Sequence, residues 1–196
     1  MIEHDGPEER AYLVGIHSHD EKIHAGALLA ELRALTETLG IRVVGQETVR
    51  VRDISPRFFL GSGKAEDIAA RAEEVEADIL IFDEDLSPSQ QRNWEELTKI
   101  SVTDRQGVIL EIFAERAQTR EARLQVDLAR MEYMLPRLTS AWSHLSRQRG
   151  GRRGTRGEGE TQLEVDRRIV QQRIAAIKRD LKGVEGQRAT SRRQRN

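Results

Sequence analysis

The hydrophobic pattern changes once along the chain. In the first half, short apolar runs alternate with helix-periodic segments. "AYLVGI", residues 11–16, reads as a buried strand. Apolar residues at Ile23, Ala27, Leu28, Leu32, Leu35 and Leu39 then keep a helical period, which Gly40 stops. Ser18 and Glu21 have the spacing of a capping box at that helix's start. "IRVVGQETVRV", residues 41–51, is a second, partly alternating strand, and "GSGKAEDIAARAEEV", 61–75, is a helix with its leading loop. "DILIF", 78–82, is the most strand-like run of all. Ser87, Pro88 and Gln90 supply a cap, a proline at the first helical position and a capping-box partner for a helix reaching about Lys99. "ISVTD", 100–104, is the last strand, and "VILEIFAERA", 108–117, a helix. Four strands alternating with helices predict an α/β subdomain over residues 1–117. Its sheet is four-stranded and mainly parallel, flanked by helices and joined by right-handed crossovers. The pattern does not give the strand order.

From about Thr119 the period is different. Leu124, Leu128, Met131, Leu135, Leu138, Trp142 and Leu145 are spaced 4, 3, 4, 3, 4, 3, an unbroken heptad seam. A second seam runs through Val170, Ile174, Ile177, Leu181 and Val184. Thr161 and Glu164 have capping-box spacing, which predicts a helix starting near Gln162. Two seams joined by one loop predict a long antiparallel, coiled-coil-like helical hairpin over residues 118–196. A helix from 119 to 146 is roughly 40 Å long. Pro136 removes one backbone donor and is expected to kink this rod without ending it, because the seam continues past it.

Composition narrows the class. The chain is 37% hydrophobic and 33% charged, with 4% aromatics, 4 prolines and no cysteine. That excludes a disulfide framework and cysteine-ligated zinc. No apolar run approaches the ~20 residues of a membrane span, and the polar N-terminus does not resemble a signal peptide, so a cytoplasmic location is expected. The net charge of −1 conceals a division: residues 1–110 carry 12 Lys/Arg against 22 Asp/Glu, and residues 111–196 carry 20 against 11. An acidic half joined to a basic half points to nucleic acid as a partner of the second.

The basic half has its sharpest feature between the seams. "RQRGGRRGTRGEGE", residues 147–160, holds five glycines and five arginines against two glutamates. Arginine forks match phosphate oxygens in pairs, and glycines let a ligand approach the backbone closely. The candidate nucleic-acid-binding residues are Arg147, Arg149, Gly150, Gly151, Arg152, Arg153, Gly154, Thr155, Arg156, Gly157 and Gly159. No aromatic residue falls among them, so a base-stacking platform is absent. A flexible linker is the plainer reading of such a composition, but a linker has no need of a long stalk.

Other chemistry is weaker. "FFLGSGKAE", 58–66, invites a phosphate-loop reading, yet position 58 is Phe and position 65 is Ala, so the spacing and the magnesium-binding hydroxyl both fail. A weak anion or nucleotide site at Gly61, Gly63 and Lys64 is what remains. His17, His19 and His24 are close enough to share a metal, but the histidine–carboxylate helix motif of metallohydrolases is missing, so no metal site is expected. "FDEDL", 82–86, places three acids after a strand, where they read as solvated residues ahead of a helix. No catalytic constellation assembles, and this chain alone does not read as an enzyme.

"GTRGEGETQLEVDRR" (154–168), "DRQGVILEIFAERAQTREARLQVDLARMEYMLPRL" (104–138), "FLGSGKAEDI" (59–68) and "FDEDLSPSQQRNWE" (82–95) together resemble the HflX family of ribosome-associated GTPases. The resemblance runs through most of residues 10–190. It implies an N-terminal α/β subdomain, a helical hairpin and then a GTPase domain, in a protein that binds the large ribosomal subunit and splits ribosomes. The hairpin tip, carried over as Arg147 to Glu160, would reach toward the peptidyl-transferase centre. Relatives usually carry an apolar residue and one position fewer at Arg152-Arg153, and Pro at Glu158, so this tip is more charged. No Walker A motif or guanine-reading Asn-Lys-x-Asp occurs in the 196 residues. GTP and magnesium are therefore expected in a GTPase domain outside this sequence, with no cofactor in this chain. The expected partners are the large subunit, its rRNA and that GTPase domain, with the protein itself a monomer. Two alternatives stand beside this reading. One is an ATP-binding α/β domain with phosphate near Gly61–Lys64 and magnesium near Asp83–Asp85; the other is a coiled-coil protein scaffold.

Overall fold

The computed structural model describes the backbone of residues 8–17, 22–138 and 156–193, and the side chains of 8–17, 25–138 and 164–184. It divides into two compact units, residues 1–112 and 113–196.

The first unit runs β1 (Arg10–His17), α1 (Lys22–Thr38), β2 (Arg42–Arg50), α2 (Ser62–Glu74), β3 (Ile79–Phe82), α3 (Pro88–Thr98) and β4 (Ser101–Asp104), with α4 (Arg105–Arg116) following. All three strand pairings are parallel, and the sheet order is β2-β1-β3-β4. Strand alternation sorts the core into two layers. Tyr12, Val14, Ile16, Leu80, Phe82 and Val102 meet Ala65, Ile68 and Ala72 of α2 and Trp94 of α3 on one face. Ala11, Leu13 and Ile81 meet Leu29 and Leu32 of α1 and Val108 and Ile112 of α4 on the other. Each fully buried aliphatic or Phe side chain contributes about 1.5–3 kcal/mol. The sheet is therefore closed on both sides, as parallel sheets require.

Local chemistry sets the boundaries. Ser87 caps α3 by accepting from Gln90 N, Gln90 Oε1 accepts from Ser87 N, and Pro88 stands in the first turn. Lys99 closes that helix in the left-handed region at φ 63°. α4 begins at Arg105, three residues before the apolar run predicts, because Asp104 Oδ1 accepts from Gly107 N at 3.0 Å. Tyr12 packs against Gly45, where an added Cβ would meet its ring at 2.6 Å. Its hydroxyl donates to Glu47 Oε1 at 2.8 Å. The Ser18–Glu21 capping box lies outside the described residues.

The second unit contains α5 (Arg120–Met134), a 3₁₀ turn (Leu135–Arg137) and α6 (Arg156–Arg193). Thr119 Oγ1 caps α5 by accepting from Ala122 N. α-Helical bonding gives way to the tighter turn at Pro136, which lacks the N–H that the ladder needs. Any continuation of the rod beyond Leu138 lies outside the described residues, and so does the connection through residues 139–155. α5 and α6 are in contact, and Lys178 Nζ reaches Glu132 Oε1 at 2.8 Å. The described seam positions Leu124, Leu128, Met131, Leu135, Leu138, Val170, Ile174, Leu181 and Val184 are all half-buried, and Ile177 is buried. α6 starts at Arg156, one and a half turns before the start near Gln162 that Thr161 and Glu164 predict.

Candidate functional site

The basic segment divides at Arg156. Arg147, Arg149, Gly150, Gly151, Arg152, Arg153, Gly154 and Thr155 lie outside the described residues. The backbone of Arg156, Gly157 and Gly159 opens α6 and is helical, so these three belong to a helix start and not to a loop. Further along α6, Arg167, Arg168, Arg173, Lys178, Arg179 and Lys182 are exposed, while the seam side is withdrawn from solvent.

The first turn of α2 holds the second candidate. Gly61 is the cap residue and makes no side-chain cap bond, which leaves the N–H groups of the first turn without that partner. Lys64 is half-exposed and turned toward Glu47, with Nζ 3.9 Å from Oε2. Glu47 also receives Arg71 and the Tyr12 hydroxyl. Burial, and then the hydrogen bond to Glu47, push the Tyr12 phenol up to about 12. Lys64 is thus one arm of a structural network joining β1, β2 and α2. Gly61 and Gly63 each have open space at the Cβ position.

A third place emerges only in three dimensions. The strand order reverses direction between β1 and β3, and open parallel sheets bind ligands at the carboxyl ends flanking such a point. His17 ends β1 and Asp83 follows β3 there; both are 8% exposed. Asp83 Oδ1 accepts from Ile16 N at 2.8 Å. Asp83 Oδ2 and His17 Nδ1 are both shut off from solvent, with no hydrogen-bond partner among the described residues. Gly15 makes room between Asp83 and Thr48: an added Cβ would lie 3.4 Å from Asp83 Oδ2 and 3.3 Å from Thr48 Cγ2. Desolvation raises the Asp83 carboxyl above its ordinary range, against the lowering effects of the Ile16 N–H, Arg105 and His17. Arg105 donates to Leu28 O at 2.9 Å and pairs with Glu31 at 3.1 Å.

This corrects the reading of "FDEDL" as three solvated acids. Glu84 and Asp85 are exposed, but Asp83 is buried. The signal was available: Asp83 continues the alternation of Ile79 and Ile81 and so points to the same face of the sheet. His19 lies outside the described residues, and only the backbone of His24 is described. Among the described residues no group of three or more His, Asp or Glu side chains is placed to hold a metal ion. Among them, too, no helix is long and apolar enough to cross a membrane.

Comparison with known proteins agrees with this architecture. Residues 27–114 match the family described as GTP-binding GTPase N-terminal. Residues 116–195 match the family described as GTP-binding GTPase Middle Region. The chain is 46% identical over 186 residues to GTPase HflX of Spirochaeta thermophila, covering 95% of this chain and 45% of that protein. It is 49% identical over 195 residues to GTPase HflX of Akkermansia muciniphila, and 42% identical over 187 residues to that of Escherichia coli K12. The shares covered are 95% and 45% in the first case and 95% and 43% in the second. The chain therefore spans a little under half the length of these relatives. Among solved structures, a GTP-binding protein from Sulfolobus solfataricus in complex with GDP superposes with a TM-score of 0.59 at 22% identity, over 90% of this chain and 46% of its own. A complex of SsGBP with GDP gives 0.64 at 23% identity, over 93% and 46%. At that identity the likeness speaks for the fold alone. The sequence relatives and the two consecutive family matches go further: the chain belongs to the HflX family of GTPases, of which it carries the N-terminal and middle regions.

Proposed function

We propose that this chain is the ribosome-binding N-terminal module of an HflX-type GTPase. In this reading α5 and α6 are the two arms of an antiparallel hairpin, with residues 147–160 at its tip. The tip arginines hold phosphates of large-subunit rRNA near the peptidyl-transferase centre, and the α/β unit positions the hairpin. GTP and magnesium act in the GTPase domain of the parent protein, which splits ribosomes in its GTP-bound state in the cytoplasm, as a monomer. The observation that carries the reading is the seam on α6. Val170, Ile174, Ile177, Leu181 and Val184 are all withdrawn from solvent, and α6 contacts α5. A paired stalk gives a five-arginine segment a handle, which a linker does not require. Co-sedimentation with ribosomes at two salt concentrations tests it. Replacing Arg147, Arg149, Arg152, Arg153 and Arg156 together by Ala should abolish pelleting and flatten the salt dependence; undiminished pelleting overturns the reading.

A second reading has its own support. The unpartnered buried atoms of His17 and Asp83 favour a small ligand on the α/β unit, at the β1/β3 switch point and not at Gly61, Gly63 and Lys64. A nucleotide with its magnesium near Asp83 is the natural candidate. In an ATP titration, Asp83→Asn should weaken saturable binding while Lys64→Ala leaves it intact; no saturable binding by the unaltered chain removes this reading.

A further inference from the structure

The α/β unit carries a cation cluster that its overall acidity conceals. Residues 50–64 hold four of the twelve Lys/Arg found in residues 1–110, and one acid, Asp53. The rest of that region is strongly acidic. Lys64 is taken up by Glu47. Arg50, Arg52 and Arg57 are exposed. Arg50, Arg52 and Arg57 make no ion pair among the described residues, and the Arg57 guanidinium lies over the Phe58 ring at 4.9 Å. Ile54, between them, is 65% exposed.

The segment that bears these arginines is held unusually firmly for a connection. Three side chains of α3 take its carbonyls: Gln90 Nε2 donates to Ser55 O at 3.2 Å, Asn93 Nδ2 to Arg57 O at 2.8 Å, and Trp94 Nε1 to Phe58 O at 3.0 Å. Ser55 and Phe59 exchange both backbone hydrogen bonds, at 3.0 and 2.9 Å. Phe58 and Leu60 are buried and anchor it in the core, with Phe58 edge-on to Trp94. Phe59 is fixed at φ 70°, a conformation a bulky residue adopts only when its surroundings enforce it. The carbonyls of Ser55, Arg57, Phe58 and Phe59 are thus taken, while Arg50, Arg52 and Arg57 are exposed, with Asp53 and Ile54 among them.

We infer that residues 50–57 form a second RNA-backbone contact, in which Arg52 and Arg57, with Arg50 beside them, bind phosphates of a structured RNA. Charge complementarity names the occupant: a fixed row of arginines on an otherwise acidic unit matches a phosphate backbone, and the fork geometry suits phosphate oxygens in pairs. Preordering lowers the entropy lost on binding. The inference rests on the ribosome-binding reading but concerns a different unit of the molecule, so the two can fail separately.

The test measures binding of the full chain to isolated large ribosomal subunits and to a short A-form RNA duplex, between about 50 and 200 mM salt. Five proteins are compared: the unaltered chain, the variant with all five tip arginines replaced by Ala, Arg52→Ala/Arg57→Ala, Arg52→Lys/Arg57→Lys, and Arg33→Ala/Arg92→Ala. The last removes the same charge from α1 and α3. The slope of log Kd against log salt should fall by about two for the first double variant, and stay unaltered for the lysine and helix controls. An unchanged slope and affinity for Arg52→Ala/Arg57→Ala on both probes overturns the inference, as does an equal loss in Arg33→Ala/Arg92→Ala. If the tip-arginine variant alone loses binding, the ribosome reading stands and this contact falls. If the tip variant keeps binding and Arg52→Ala/Arg57→Ala loses it, the reverse holds. Failure of the unaltered chain to bind either probe removes both.

Discussion

Asp83 sits where an ionised carboxylate is costly. One of its oxygens is bound by a backbone N–H and the other has no partner among the described residues, so burial raises its proton affinity in the folded state. The sign of the pH effect follows. Its stabilising contribution is complete below the ordinary aspartate pKa and is lost as pH rises through the elevated folded value. Near neutrality the charge therefore costs stability. Asp83→Asn keeps an acceptor for Ile16 N and removes the charge, so its melting temperature should exceed that of the unaltered chain at pH 7, with the gap closing as pH is lowered toward 4. Thermal melts across that range check it; an asparagine variant less stable at pH 7 would contradict it. Gly45 is a second position where one atom decides. An alanine Cβ would run into the Tyr12 ring, whose hydroxyl is tied to Glu47. Overpacking of this kind costs about 1–3 kcal/mol, readable as a lower urea midpoint with an unchanged slope. The sequence shows a glycine inside a strand run and an acid after one. It does not show which ring covers the first or that the second is shut in, because both facts depend on neighbours brought by the fold.

Among the elements, α3 was the most legible. Ser87, Pro88 and Gln90 announce its start, and the structure forms that capping box in full. Ser87→Ala should cost about 0.5–2 kcal/mol in chemical denaturation. What α3 does was not legible. Gln90, Asn93 and Trp94 reach across to the carbonyls of the segment after β2, through contacts separated by 35 or 36 residues. Trp94→Ala should therefore do two things. It should lower stability by about 3–5 kcal/mol as a fully buried aromatic, and it should speed amide exchange at Phe59, whose N–H bonds Ser55 O. Loss of stability without that local change would argue that the clamp is not what orders the segment. α4 and α6 show the limits of periodicity. Asp104 starts α4 three residues before its apolar run begins. α6 starts at Arg156, so the Thr161–Glu164 spacing lies inside it and does not mark its start. A capping-box spacing alone cannot tell a helix start from a position within one.

At the scale of the whole molecule, the alternation of strands and helices was enough to predict a parallel α/β unit. The order β2-β1-β3-β4 was not, since it follows from which helices cover which face. The two heptad seams are readable because spacing alone marks them, and their described positions, from Leu124 to Leu138 and from Val170 to Val184, are half-buried or buried; Trp142 and Leu145 lie outside the described residues. The division of charge, acidic in the first 110 residues and basic after them, was readable as well. The exception within it, the arginines of residues 50–57, gains meaning only from the segment's fixed geometry. The proposed function places the tip of the basic unit against large-subunit rRNA. The chain has no cysteine, so Gly151→Cys or Thr155→Cys supplies a unique attachment point for a tethered iron chelate. Hydroxyl radicals generated there, in a complex with the large subunit, should cleave rRNA in a narrow zone around the peptidyl-transferase centre. A bound complex that yields no cleavage in that zone, or cleavage only elsewhere, would contradict the account.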